Sequence, residues 1–204
     1  MDFDIAKSVF ESLYSGVNGY EISSRARKKI SYASKAHTYG EVTPEGFSAM
    51  LKKPQIVSTG TFYDLGSGTG KGVVLASLFG NFTKIIGIEM LEDLYLESKK
   101  ILSRYEEAIR PILPDAKKQQ TLDFLHGDFL EQDFSSADMI FAHSTCFHDE
   151  LMTALERRCM SLKKGAKVLL VTKTFQSAFF KFLKMEEYPM TWGKATVNFY
   201  EKVE

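Results

Sequence analysis

Four residues in the first half of the chain have the types and spacing of a ligand-binding loop. The stretch YDLGSGTGK, followed at once by the apolar run GVVLASLF, carries them at alternate positions: Asp64, Gly66, Gly68 and Gly70. Glycine lets another group come close to the backbone because it has no side chain. The spacing therefore predicts a strand-to-helix turn that cradles a ligand against bare backbone.

Two nucleotide-binding loops compete for this stretch and fit it less well. The phosphate-binding loop needs a serine or threonine directly after its Gly-Lys pair, and Gly72 stands there instead. The dinucleotide loop G-x-G-x-x-G, counted from Gly66 and Gly68, reaches Lys71 where its third glycine belongs. A long cationic side chain there obstructs the close packing of helix on strand. Both alternatives are therefore disfavoured.

The alternation instead resembles the D-x-G-x-G-x-G loop of S-adenosylmethionine-dependent methyltransferases. In those enzymes adenosine and a methionine chain lie against the glycines, and the acidic residue, here Asp64, lies near the methionine end. The resemblance implies S-adenosyl-L-methionine as cofactor. It also implies that Glu89, which ends the stretch IIGIE, accepts hydrogen bonds from both ribose hydroxyls. By the same resemblance, Asp128 and Phe129 in HGDFL lie beside the adenine ring.

A sheet flanked by helices must hold these residues, because strand and helix patterns alternate after residue 60. Short β-rich apolar runs separated by helical periods favour parallel βαβ units. Segments 179–188 and 194–202 are joined by PMTWG with no room for a helix, which indicates an antiparallel hairpin. The predicted fold is α/β, a Rossmann-like seven-stranded methyltransferase sheet with an antiparallel C-terminal hairpin. The predicted strands before the hairpin are 61–65, 84–89, 122–127, 138–142 and 167–173, and the predicted helices between them are 70–80, 92–110 and 148–162.

Residues 1–36 differ in character and predict a small N-terminal helical extension. A second helix over 23–35, with its serines as N-caps, follows a first amphipathic helix formed by Phe3, Val9, Phe10 and Leu13. Pro44 then predicts the first turn of a helix that runs to about residue 53. Because no internal repeat or long linker is present, we expect one methyltransferase domain at 37–204 after this extension.

The segments around the glycine loop resemble one family in particular. HTYGEVTPEGF is similar to the Y-G-E loop that covers the cofactor in the disruptor-of-telomeric-silencing (Dot-one) histone-lysine methyltransferases, with Tyr39 and Glu41 in its motif positions. IFAHSTCF, VTKTF and TWGKATVNFYEK resemble further segments of that family. The resemblance covers residues 37–204. It implies a protein-lysine N-methyltransferase whose substrate is a protein such as a histone or the nucleosome.

The same resemblance implies which residues surround the methyl acceptor, and one of these positions departs from the family. The family's lysine channel places Phe199 and Tyr200 at its wall, together with Phe147. Phe199 suits the core equally well, whereas a buried Tyr200 hydroxyl needs a partner, which favours the channel. His143 stands where the family has an asparagine that contacts the cofactor. It either positions the acceptor, acts as a general base for a small-molecule acceptor, or is a strand-end histidine bonded to backbone.

Composition and charge limit the partners and the cellular location that we expect. The 204 residues carry 26 Lys and Arg against 26 Asp and Glu, so no global charge attracts the chain to nucleic acid or to an anionic membrane. The N-terminus lacks a signal-peptide pattern, and no apolar run approaches the roughly 20 residues that span a bilayer. We expect an intracellular protein, nuclear or cytoplasmic, with reduced cysteines, no membrane contact and no bound metal.

A local basic stretch leaves contact with nucleic acid open. It would either contact DNA phosphates and acidic protein, or form the solvated face of a helix, which the zero net charge favours. Its members are Arg25, Arg27, Lys28, Lys29 and Lys35. For the function itself, a small-molecule methyltransferase and a cofactor-binding protein without catalysis stay open as alternatives.

Overall fold

A mixed sheet organises the molecule in the computed structural model, which describes residues 1–29 and 39–204. The strands are β1 (Thr59–Leu65), β2 (Asn81–Glu89), β3 (Thr121–His126), β4 (Met139–Ala142), β5 (Lys167–Val171), β6 (Phe180–Met190) and β7 (Gly193–Lys202). They form one seven-stranded sheet in the order β3-β2-β1-β4-β5-β7-β6. Strands β1 to β5 pair in parallel, while β7 runs antiparallel to both β5 and β6. The predicted sheet with its C-terminal hairpin is confirmed.

Helices cover both faces of this sheet. They are α1 (Phe3–Leu13), α2 (Gly19–Lys29), α3 (Pro44–Leu51), α4 (Lys71–Phe79), α5 (Glu92–Arg104), α6 (Asp115–Lys118) and α7 (Asp149–Cys159). Helix α3 begins at Pro44, as predicted, and the Thr43 hydroxyl caps it by accepting a hydrogen bond from the backbone N–H of Gly46 at 3.1 Å. Within the two described ranges, no helix combines the length and the apolar character needed to cross a bilayer.

Helix α2 differs from its prediction at the start. It begins at Gly19, and Asn18 takes the capping position, where Oδ1 accepts from the Glu21 N–H at 3.2 Å. Ser23 lies inside the helix and is buried, so the serines do not cap it. The predicted continuation over 30–35 and the domain boundary after residue 36 lie outside the described residues.

Helix α5 is shorter than predicted because its last turns change type. After Arg104 the chain makes a π turn at Tyr105–Ile109 and a 3₁₀ turn at Arg110–Ile112. The Tyr105 hydroxyl is buried, 2.5 Å from Ser77 Oγ on α4. The first residue of the π turn is thus anchored in the core by packing and by a hydrogen bond.

The core consists of two apolar layers, one on each face of the sheet. One layer contains Phe199 and packs under α1, α3 and α4. The other contains Phe147 and Tyr200 and packs under α7. Because successive residues of a strand point to opposite faces, the neighbours Phe199 and Tyr200 are separated by the sheet.

Candidate functional site

The glycine loop lies at the carboxyl end of β1, where it turns into α4. Gly66, Gly68 and Gly70 all have positive φ, at 80°, 57° and 87°. The backbone N–H groups of Gly66 and Ser67 donate to the Ile88 carbonyl at 2.9 and 3.0 Å, which ties the loop to the end of β2. The predicted strand-to-helix turn is therefore present.

The three glycines face different neighbours. A Cβ on Gly68 would lie 2.5 Å from Cε2 of Tyr39, and a Cβ on Gly70 would overlap the ring of Phe124. Gly66 has no atom within 4 Å of that position. The protein's own aromatic rings thus cover two of the glycines, and Gly66 leaves its backbone open to a ligand.

A narrow cleft of about 20 Å³ opens beside this loop, which is room for about one water molecule. Ligand pockets commonly span about 300–1,000 Å³, so the side chains over the loop must move apart before a cofactor can enter. Six of the predicted site residues are among those that line it: Tyr39, Glu41, Asp64, Gly66, Gly68 and His143. The structure therefore brings together residues from the Y-G-E loop, the glycine loop and the end of β4.

Asp64 is a buried carboxyl with few compensating contacts. Its exposed fraction is 3%. Burial, with the nearby Glu89 charge as the second cause, raises the pKa of Asp64 to about 8. Gly72 packs so closely that a Cβ there would overlap Asp64 Oδ2. A cation bound beside this carboxyl would favour its ionised form.

We expect Asp64→Asn to flatten the pH dependence of stability. The pKa of Asp64 in the folded protein lies above its ordinary value of about 3.9, so its contribution to stability is complete below that value. That contribution falls by about 1.4 kcal/mol per pH unit until the pH passes about 8. Denaturant unfolding from pH 4 to 8, without added ligand, measures the slope.

The exposed Asp115 supplies the control for this measurement, because its side chain is 95% exposed. Asp115→Asn should keep the wild-type slope, including the part that comes from the raised pKa of Glu89. An unchanged slope in Asp64→Asn would contradict the assignment of a neutral Asp64 at neutral pH.

Glu89, at the end of β2, is hydrogen-bonded to the backbone of the glycine loop. Its Oε2 accepts from the Gly68 N–H and its Oε1 from the Leu91 N–H, both at 2.8 Å. Burial raises the pKa of Glu89, and the backbone hydrogen bonds oppose that shift. Each carboxylate oxygen has two lone pairs, so both oxygens can still accept from ligand hydroxyls.

The Y-G-E loop is fastened to the glycine loop by a small polar network. The Tyr39 hydroxyl donates to Glu41 Oε1 at 2.9 Å and lies 3.0 Å from the Thr69 hydroxyl. Lys71 Nζ donates to Glu41 Oε2 at 2.6 Å. In the sequence, Lys71 served only to exclude a dinucleotide loop. No local pattern predicts its ion pair with Glu41, which lies 30 residues away.

His143 lines the pocket at the end of β4, and Trp192 packs against it. Their ring centroids lie 4.7 Å apart at 77°, and both rings press on Gly40. His143 Nε2 is buried and has no hydrogen-bond partner among the described residues. Burial lowers the pKa of His143 to about 4, so the imidazole is neutral and weakly basic near pH 7. Sequence analysis did not single out Trp192, although it lies in a segment that carried the family resemblance.

The remaining predicted residues lie away from this pocket. Asp128 Oδ1 accepts from the Leu130 N–H at 2.8 Å, and Phe129 stacks on Phe147 with centroids 5.8 Å apart. The Tyr200 hydroxyl accepts from the Phe175 N–H at 3.2 Å, so backbone supplies the partner it needs. The structure does not bring Phe147, Phe199 and Tyr200 together as one channel, because Phe199 packs in the core layer on the other face of the sheet.

Two residues of the basic stretch on α2 form ion pairs within the chain. Lys29 Nζ lies 2.7 Å from Asp93 Oδ1, and Arg25 Nε lies 3.6 Å from Asp93 Oδ2. The Lys29 ammonium, followed by the weaker effect of Arg25, holds the pKa of Asp93 below its ordinary value. These pairs fasten α2 to the start of α5. Lys35 lies outside the described residues.

Comparison with known sequences identifies relatives over most of the chain. Residues 20–201 match the family model described as "Histone methylation protein DOT1". A protein of Candida albicans named "Histone-lysine N-methyltransferase, H3 lysine-79 specific" is 26% identical over 97% of this chain. A Dictyostelium discoideum protein of the same name is 30% identical over 79% of it. The chain spans only 16% and 10% of the lengths of these two relatives.

Solved structures share the fold. TrmN from Thermus thermophilus superposes with a TM-score of 0.60 at 19% identity, covering 83% of this chain and 52% of its own. An RNA methyltransferase from Salinibacter ruber, in complex with S-adenosyl-L-homocysteine, gives 0.56 at 22% identity, covering 78% and 90%. At these identities the similarity establishes the methyltransferase fold.

Proposed function

This chain belongs to the DOT1 histone methylation family, and on that premise we propose that it is a protein-lysine N-methyltransferase that uses S-adenosyl-L-methionine. One observation carries the proposal. A single pocket gathers the family's motif residues from separate parts of the chain, Asp64 and Gly66 from the glycine loop and Tyr39 and Glu41 from the Y-G-E loop. We further propose that the protein substrate is a histone.

The pocket fits the cofactor at two polar groups that line it. These are His143 Nε2 and Ser67 Oγ, buried atoms that have no hydrogen-bond partner among the described residues. Buried polar groups are normally satisfied, so two unsatisfied atoms in one pocket favour a polar ligand. The buried Asp64 carboxyl in the same pocket suits the ammonium group of the methionine chain. The bare backbone of Gly66 offers the close approach that the nucleoside end needs.

Each residue then has a definite task. S-adenosyl-L-methionine supplies a methyl group that its sulfonium charge already activates. With the cofactor bound, Asp64 would hold its ammonium group, Glu89 would accept hydrogen bonds from the ribose hydroxyls, and the Y-G-E loop over the glycines would exclude water. Much of the rate enhancement in such a site comes from alignment of donor and acceptor.

The acceptor amine must be neutral when it attacks, because an ammonium nitrogen has no lone pair to form the new bond to the methyl group. Since the ordinary pKa of the amine is about 10.4, it must first lose a proton to solvent. Phe141 and a neutral His143 line the pocket, and this wall disfavours the ammonium form by desolvation. His143 is a poor general base at this pKa, which disfavours the small-molecule alternative that depended on it.

The proposal is tested by transfer of labelled methyl groups from S-adenosyl-L-methionine to free core histones, intact nucleosomes and cell extract. We expect label in protein, with mass spectrometry locating it on lysine side chains. Labelling confined to small molecules would refute the proposal. Cofactor binding without any transfer would instead favour the non-catalytic alternative.

We expect His143→Asn to keep the rate of protein methylation within about tenfold of wild type. An amide can also satisfy one buried hydrogen bond, so the activation free energy should change by only about 1 kcal/mol. The rate is measured with histone substrate at saturating cofactor. His143→Phe, which fills the space without a polar atom, is the comparison and should lose more activity. Complete loss in His143→Asn, with cofactor binding intact, would assign the imidazole a chemical role.

A further inference from the structure

Tyr20 connects the N-terminal helices to the hairpin turn at the opposite end of the chain. It is the second residue of α2, and its hydroxyl lies 2.5 Å from Thr191 Oγ1. Its ring also packs edge-on against Tyr39, with centroids 5.3 Å apart at 88°. Packing explains the ring position, but it does not require the hydroxyl.

Thr191 transmits this contact to the Y-G-E loop. It lies in the two-residue turn between β6 and β7, and its backbone N–H donates to the Glu41 carbonyl at 3.1 Å. Its hydroxyl also donates to that carbonyl, at 3.3 Å. Either hydroxyl of the Tyr20–Thr191 pair can donate. With the Thr191 proton directed at the Glu41 carbonyl, Tyr20 is the donor to Thr191. The result is a directed chain from Tyr20 through Thr191 to Glu41.

The other residue of the turn is Trp192, which packs on two residues that line the pocket, His143 and Gly40. Its ring contacts His143 and lies on Gly40, where a Cβ would be 2.8 Å from Trp192 Cζ3. Trp192 is 44% exposed, so its position depends on the turn as much as on packing. A restraint on Thr191 therefore also restrains Trp192 and the two pocket residues that Trp192 contacts.

We propose that Tyr20 is a positioning residue that holds Trp192, through Thr191, at the acceptor side of the pocket. The assignment of that side to the acceptor rests on the proposed function. The Tyr20 hydroxyl sets how the acceptor is received. We expect a smaller effect on cofactor binding, because Tyr39 and Glu41 keep their own bonds to Thr69 and Lys71 beside the glycine loop.

The test uses Tyr20→Phe, Thr191→Val and the double variant in the full chain. Trp192 is the sole tryptophan, so intrinsic fluorescence reports its position directly. We expect acrylamide quenching of Trp192 to rise in each single variant, with no further rise in the double variant. We also expect the KM for histone to rise about fivefold, the size that follows from losing one hydrogen bond. The Kd for S-adenosylhomocysteine should stay within about twofold.

Tyr105→Phe is the matched control. It also removes one tyrosine hydroxyl, which is bonded to Ser77 in the core, and should leave quenching unchanged. Unchanged quenching in Tyr20→Phe would overturn the proposal, as would an equal loss of cofactor and histone affinity, which indicates general loosening of the loop. If the wild type transfers no methyl group, the proposed function fails, and the quenching comparison still decides whether Tyr20 positions Trp192.

Discussion

Glu89→Ala is expected to weaken binding of S-adenosylhomocysteine by about 100-fold or more, the loss that follows when two charge-assisted hydrogen bonds disappear. The carboxylate holds the N–H groups of Gly68 and Leu91, each at 2.8 Å. Alanine leaves both buried donors unpaired and removes the acceptor proposed for the ribose. The change therefore acts on the ligand and on the loop that receives it.

Isothermal titration calorimetry measures this loss. Glu92→Ala, at the exposed start of α5, is the control and should bind normally. Glu89→Gln provides a second variant that keeps the side-chain shape, and we expect an intermediate affinity because the amide still accepts one of the two N–H groups. Circular dichroism establishes that each variant is folded. Wild-type affinity in folded Glu89→Ala would place the cofactor elsewhere.

Gly70→Ala should lower the free energy of unfolding by about 2–5 kcal/mol. Part of the loss comes from the backbone, since φ at Gly70 is 87° and an L-residue is strained there by about 1–2 kcal/mol. The rest arises because the new Cβ would overlap the ring of Phe124. That ring is 2% exposed and has no free space to move into.

Gly165→Ala separates the two causes. Gly165 has the same φ of 87°, but no atom lies within 4 Å of its Cβ position. Denaturant unfolding of both variants should show the larger loss at Gly70, and the difference measures the overlap with Phe124. Equal losses would show that Phe124 adapts without cost and that backbone strain accounts for the whole effect.

Much of the fold could be predicted because it is encoded in local patterns. The strands are short β-rich runs with helices between them, and the hairpin followed from a connection too short for a helix. The start of α2 was misplaced because several residues can cap a helix, and Asn18 does so here in place of the serines. The π turn after α5 depends on the buried contact of Tyr105 with Ser77, which no local period encodes.

The candidate site likewise has a part that the sequence could predict and a part that it could not. Asp64, the glycines and Glu89 lie at the ends of two neighbouring parallel strands, so a local motif was enough to place them together. The pair of Lys71 with Glu41 and the pair of Trp192 with His143 join segments far apart in sequence, and only the tertiary fold brings them into contact. The strand period alone, applied to Phe199 and Tyr200, already separates their rings onto two faces.

The bridge between Val42 and Met190 has a consequence for biosynthesis. The Y-G-E loop, which lies over the glycine loop, pairs with a hairpin turn translated long after it, and Glu41 and Thr191 are 150 residues apart. Such contacts form late because they must await the distant partner. While the hairpin is still inside the ribosome, the nascent chain has its glycine loop but cannot form the contacts that hold the Y-G-E loop to the turn. A chain that stops before the turn would lack these contacts altogether.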